Sequence, residues 1–153
     1  VSAGYRRSCM ADVLELSRNL RKADIAELEE GHGCSPTKAL LEGYTYSAPC
    51  YTLVGTEGEI VGMFGVVPQD EIKGAIWMLA SDHLENYSIK FLREAGKAIT
   101  ELNAKHPLLF NCVDARNELH IKWLKWCGFT FIKKHERYGM GGIPFYEFVR
   151  ART

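Results

Sequence analysis

The sequence predicts an α/β (α+β mixed) fold in which one mixed antiparallel and parallel sheet is flanked by helices on both faces. Three stretches predict it. From residue 49 to residue 80 the apolar residues recur with the period of strands and are broken by glycine turns. Between residues 84 and 105 the period becomes helical. Residues 108–129, LLFNCVDARNELHIKWLKWCGF, then read as strand, turn and helix. A strand, a long helix and a strand in that order favour a right-handed parallel crossover, so one parallel pair joins an otherwise antiparallel sheet.

The elements follow in order. Residues 5–8 suit a short first strand. Residues 11–20 set Val13, Leu14, Leu16 and Leu20 among polar residues, and residues 24–30 give a second short helix with Asp24 as its N-cap. The Gly31-His32-Gly33 run ends it. Ser35-Pro36 opens a third helix, because serine caps free amides and proline is tolerated at the first helical position. Residues 51–54 and 60–67 form a hairpin around Thr56-Glu57-Gly58, residues 68–73 are a polar connection, and residues 74–80 are a fully apolar strand. In the long helix Leu84, Tyr87, Phe91, Ala95, Ala98 and Leu102 share one face, with Lys90, Arg93, Glu94, Lys97 and Glu101 on the other. His106-Pro107 breaks it before the strand at residues 108–113.

After the polar joint Asp114-Ala115-Arg116, residues 117–127 place His120, Trp123, Leu124 and Cys127 on one helical face. Gly128 suits the stop, since glycine accepts the left-handed conformation at low cost. Residues 130–135 and 144–150 are two more strands, joined by Tyr138-Gly139-Met140-Gly141-Gly142. These glycines read as turn residues, because they do not follow a strand and open a helix as a phosphate-binding loop must. Six or seven strands result, and residues 1–153 form one domain without repeats or linkers.

Composition excludes more than it selects. With 19 basic and 19 acidic residues there is no global field toward nucleic acid or a membrane surface. No apolar run is long enough to span a bilayer, and no signal peptide is apparent. The chain opens on Val1 rather than Met, which leaves processing and incompleteness both open. The five cysteines, Cys9, Cys34, Cys50, Cys112 and Cys127, include no Cys-x-x-Cys pair; reduced thiols in a cytoplasmic compartment and no metal site are expected. Trp126 lies off the apolar stripe of its helix and suits contact with a partner.

The pattern Asn117-x-x-His120-x-x-Trp123-Leu124-x-x-x-Gly128-Phe129 resembles the last motif of the GNAT N-acetyltransferase superfamily. Its variant, with His120 and Leu124, is similar to that of phage internal virion protein A, a GNAT-like family of short-tailed phages. The resemblance follows the element order from about Tyr5 to Phe148 and is specific in residues 74–82 and 111–129. It implies acetyl-CoA in a gap between two splayed strands, with the backbone of Trp77, Met78, Leu79 and Ala80 holding the pantetheine. Asn117 would bond cofactor or neighbouring backbone, and equally suits an N-cap.

Two departures bear on activity. The glycine-rich pyrophosphate loop of the family is replaced by residues 81–88, which lack glycine and set Asp82 and Glu85 where phosphate would sit; both suit helix capping. Leu124 stands where the family has a tyrosine general acid. His120, one turn earlier, is the candidate acid, with Asp82 and His83 as candidate bases. Two functions follow: a phage-encoded acetyl-CoA-dependent N-acetyltransferase that binds its cofactor weakly, or an inactive GNAT-fold virion or assembly protein. The first acts on an unassigned amine. The second works through contacts with other phage virion proteins, in the host cytoplasm and the virion. Neither implies a membrane or nucleic acid.

Overall fold

The computed structural model describes residues 4–153, with backbone alone for residues 88–92; Val1 and the side chains of Lys90 and Phe91 lie outside the described residues. The chain runs β1 (Gly4–Arg7), α1 (Met10–Ser17), α2 (Lys22–Ala26), a π-turn (Glu27–Gly31) and α3 (Pro36–Tyr46). It continues through β2 (Cys50–Val54), β3 (Ile60–Pro68), β4 (Lys73–Ala80), a 3-10 turn (Asp82–Tyr87) and α4 (Ser88–Lys105). The last part is β5 (Leu108–Asp114), α5 (Glu118–Trp126), β6 (Thr130–Tyr138) and β7 (Ile143–Ala151).

The strands form one seven-stranded sheet in the order β1-β2-β3-β4-β5-β7-β6. All neighbours pair antiparallel except β4 and β5, which are parallel, so the expected mixed sheet is present with its crossover through α4. Alternation along each strand divides the core between the two faces. Ile76, Met78 and Ala80 of β4 pack with Ala95, Ala98, Ile99 and Leu102 of α4 and Trp123 and Leu124 of α5. Leu79 and Met63 pack on the other face with Val13 and Leu16 of α1, Leu28, and Leu40 of α3. A fully buried side chain of this size contributes about 1.5–3 kcal/mol, so two such layers are ample to hold helices on both faces.

Local signals fared differently according to whether a distant residue competed for the same group. Ser35 caps α3 as expected, its Oγ accepting from Lys38 N–H at 3.2 Å, with Pro36 at the first turn. Gly128 ends α5 with φ +86°, and Gly58, Gly139 and Gly142 also have positive φ in their turns. Asp24 is not the N-cap of its helix: α2 begins at Lys22, and the Asp24 carboxylate turns inward to β4. Asp82 does not cap the long helix either, because the 3-10 turn intervenes and Tyr87 is the N-cap residue of α4. Asn117 is the N-cap residue of α5, yet its side chain makes no capping bond; its amide is drawn into a buried network instead. Cys127 is buried against the sheet, while Cys112 on β5 is half-buried.

What positions the site is the short overlap of β4 and β5. Their register comprises Lys73↔Leu108, Gly74↔Leu109 and Ala75↔Phe110 alone, although β4 continues to Ala80 and β5 to Asp114. Beyond Ala75 the two strands part. Asn111 bridges the start of the opening, its Nδ2 donating to Ile76 O at 2.8 Å.

Candidate functional site

Backbone alternation decides which groups of β4 face the opening. Ser81 N–H donates to Val61 O at 2.9 Å, which makes this a hydrogen-bonded antiparallel pair; Leu79, Trp77 and Ala75 therefore face β3, while Ile76, Met78 and Ala80 face the gap. Ala80 is already engaged. Its N–H donates to Asp24 Oδ2 at 2.8 Å, and its carbonyl accepts from Arg21 N–H at 2.9 Å. Met78 lies between the two bridged positions. No strand stands opposite its N–H and C=O, and no side-chain hydrogen bond reaches them among the described residues.

A cavity of about 170 Å³ opens at this point, lined by Glu27, His32, Met78, Asn111, Cys112 and His120 among others. It abuts a cleft of about 520 Å³ on the α3 face, with Leu28, His32, Ala39, Gly43, Trp77 and Asn111 common to both. The opening thus runs from the α3 face through the sheet to α5. Trp77 forms one wall, held by its Nε1 donating to Ser47 Oγ at 2.7 Å. Gly43 permits this wall, since a Cβ there would lie 2.7 Å from the indole.

The polar residues arrive by spacing. In Arg21-x-x-Asp24-x-x-Glu27 the three charged groups recur every third residue, so one edge of α2 and the π-turn presents them together to the sheet. Arg21 Nη1 donates to Asp24 Oδ1 at 3.2 Å and to Asn117 Oδ1 at 3.3 Å, while Asn117 Nδ2 donates to Asp24 Oδ1 at 2.8 Å. All three are buried. Burial raises the Asp24 carboxyl, opposed by Arg21 and by the Ala80 and Asn117 N–H donors. The network ties α2, β4 and α5 together at the closed end of the gap.

Glu27 is different, because among the described residues no cation pairs with it. Its Oε1 accepts from Asp114 N–H at 2.8 Å, yet burial dominates and pushes its carboxyl up to about 8. His120 is driven the other way: burial, with help from Arg21, lowers it to about 4. At neutral pH the gap therefore holds a carboxylic acid poised to ionise and a neutral imidazole. A ring neutral at that pH carries no imidazolium proton to give, so the part open to His120 is that of hydrogen-bond donor or acceptor.

The candidates named from sequence divide between two places. The structure brings Trp77, Met78, Leu79 and His120 to the gap cavity, and Ala80 and His120 to its Arg21-Asp24 end; Asn117 joins the network there. Asp82 and His83 line neither cavity, being exposed on the 3-10 turn; Asp82 still acts on the network through its charge, which joins burial in raising the Asp24 carboxyl, while His83 lines a separate depression of about 100 Å³ beside Glu15, Asn19 and Glu59. Glu27 is not among the site residues named from sequence. The run Leu20-Arg21-x-x-Asp24-x-x-Glu27-Leu28 resembles the N-terminal helices that shape the acceptor side in GNAT proteins, but which of its charges are buried is not legible in it.

No family model matches the chain, and no curated protein matches it. Solved structures do. A GNAT-family acetyltransferase from Streptococcus pneumoniae aligns with a TM-score of 0.64 at 14% identity over 98% of this chain and 99% of that one. Ard1 from Thermoplasma volcanium gives 0.70 at 16% identity, covering 100% and 99%. Spermidine N-acetyltransferase from Vibrio cholerae, in complex with CoA and spermine, gives 0.71 at 10% identity, covering 99% and 96%. The chain has the fold of the GNAT acetyltransferases.

Proposed function

We propose that the protein is an acetyl-CoA-dependent N-acetyltransferase. The observation that carries this reading is the junction of unpaired Met78 backbone and buried Glu27 in one cavity where β4 and β5 part. Met78 N–H and C=O offer an amide-bearing chain the hydrogen bonds of a missing strand, and the apolar walls suit its methylenes. Acetyl-CoA supplies the acetyl thioester. An amine entering from the α3 face would meet Glu27, whose ionised carboxylate would accept the proton that nitrogen loses as it bonds to the acyl carbon; the C–S bond breaks in the same exchange, and the CoA thiolate leaves to take a proton from solvent. His120, neutral, donates or accepts one hydrogen bond at the same cavity.

The phosphates of the cofactor are less well served. Asp82 and Glu85 are exposed on the turn before α4, and carboxylates there oppose an anion at a helix N-terminus. Ala80, whose backbone groups are taken by Asp24 and Arg21, leaves fewer β4 groups for a ligand. Weak cofactor binding follows. These same two features favour the second reading, a GNAT-fold scaffold acting through protein contacts. Exposed Trp126 suits such contacts, and the His120 and Leu124 variant of the motif supports a phage virion setting.

Thiol release from acetyl-CoA in the presence of polyamines and of peptides with free N-termini is the deciding measurement. Turnover dependent on Glu27 is expected. No turnover with any amine, together with no acetyl-CoA binding at millimolar concentration, would leave the scaffold reading standing.

A further inference from the structure

Beside the gap, three side chains from three different strands converge on one face of the sheet. Cys112 on β5 and Glu147 on β7 are directly paired in register, and His135 on β6 reaches across so that its Nε2 lies 2.9 Å from Glu147 Oε1. One donor atom from each of the three lies within 4.8 Å of the others. All three are half-buried, accessible to a small ion yet held on the rigid β5-β7-β6 ladder rather than on loops.

We infer that Cys112, His135 and Glu147 form a binding site for a thiophilic divalent metal ion of the zinc class. A thiolate, an imidazole and a carboxylate are donors that zinc accepts together, and three protein ligands leave a fourth position open to water or another ligand. With bonds of about 2.0–2.3 Å in tetrahedral array, the donors stand roughly 3.3–3.6 Å apart. The His135 and Glu147 atoms must open slightly from their hydrogen bond, and no other pair must close by more than about 1.5 Å, which side-chain rotation supplies. On binding, the Cys112 thiol releases its proton to solvent as the sulfur bonds the metal. The hydrogen bond between His135 and Glu147 is given up, and the ion takes its place. Thiolate and carboxylate charges balance the dication.

The Tyr138 ring packs 5.7 Å from that of His135 and closes one side of the cluster. Burial, with Glu147 and Glu27 nearby, holds the Cys112 thiol above its ordinary range despite a hydrogen bond with Tyr138, so the ion itself must displace the proton. Cys112 also lines the gap cavity, so a bound ion would stand at its rim. The inference stands on donor geometry alone and is independent of acetyl transfer.

The test is titration of the chelator-treated full chain with Zn²⁺ by calorimetry, and with Co²⁺ by absorbance, where a thiolate-to-cobalt charge-transfer band reports sulfur ligation. One equivalent should bind. Cys112→Ser should abolish the band, and His135→Gln and Glu147→Gln should each weaken affinity roughly tenfold or more. Cys9→Ser and Cys34→Ser, altering the other two cysteines that are not buried, should leave both readouts unchanged. Circular dichroism verifies that each variant is folded. Absence of binding to the unaltered protein, or a band that survives Cys112→Ser, would overturn the assignment, as would affinity indifferent to both His135→Gln and Glu147→Gln.

Discussion

Glu27 concentrates the chemistry of the site in one carboxyl group. If it is the base, kcat/KM should rise with pH through about 8, where the group ionises, and level above it. Glu27→Gln should lower kcat/KM by about 10²–10⁴-fold and remove that limb. The same group makes a stability prediction of fixed sign. Because its folded pKa lies above the ordinary carboxylate range, its contribution is fully present at acid pH and is lost as pH rises toward about 8, when the buried group must ionise. Denaturant melts across that window should show this loss in the native protein and a flatter profile in Glu27→Gln. His120, lowered to about 4, should contribute no ionisation to the rate profile between pH 6 and 8, and His120→Gln should leave the shape of that profile unchanged.

At the scale of elements, α2 is held to the sheet by charge and hydrogen bonding more than by apolar area. Asp24 joins it to Ala80 of β4 and to Asn117 at the head of α5, with Arg21 as counter-ion. Asp24→Ala would leave Arg21 buried and unpaired, and should cost about 3–5 kcal/mol in chemical denaturation. A cost below 1 kcal/mol would show that the network is dispensable. The turn from Asp82 to Tyr87 makes a contrasting prediction, for it affects ligand binding and little of the core. Replacing both Asp82 and Glu85 with glycine removes two charges near the α4 N-terminus, each opposing phosphate by about 0.3–1 kcal/mol. Acetyl-CoA binding should then tighten roughly three- to thirtyfold by calorimetry.

For the molecule as a whole, ligand binding and global stability are linked, and the linkage gives a test that needs no amine substrate. Acetyl-CoA at about ten times its Kd should add about 1.4 kcal/mol and raise Tm by roughly 3–6 °C. No shift up to millimolar acetyl-CoA would mean that the gap does not take the cofactor. Among the described residues no helix is long and apolar enough to cross a membrane, and the exposed large apolar side chains are Met10 and Leu14 of α1, Leu41 and Tyr46 of α3, Trp126 of α5, Ile132 of β6, and Ile72 and Met140 in turns.

Much of this architecture was legible in the linear chain, because it depends on local periodicity. The two-residue period of β2 to β4, the helical stripe of α4, the strand-turn-helix of β5 and α5, the Ser35 cap and the Gly128 stop each depend on neighbours within a few positions. Element order with a long crossover helix was enough to expect one parallel pair, and the Asn117 to Phe129 pattern was enough to expect the gap beside it. The chemistry inside the gap was not legible. Whether Asp24 caps a helix or bonds Ala80 is settled by a strand 56 positions away, which offers a buried N–H with no other partner. Glu27 titrates high because packing removes water from it without supplying a cation, and that depends on what surrounds it in space. Cys112, His135 and Glu147 carry no spacing signature, since cross-strand register brings them together. Sequence determined the elements, for which hydrogen bonds and apolar faces repeat locally; tertiary structure alone decided burial and convergence, the quantities that set pKa and ligation.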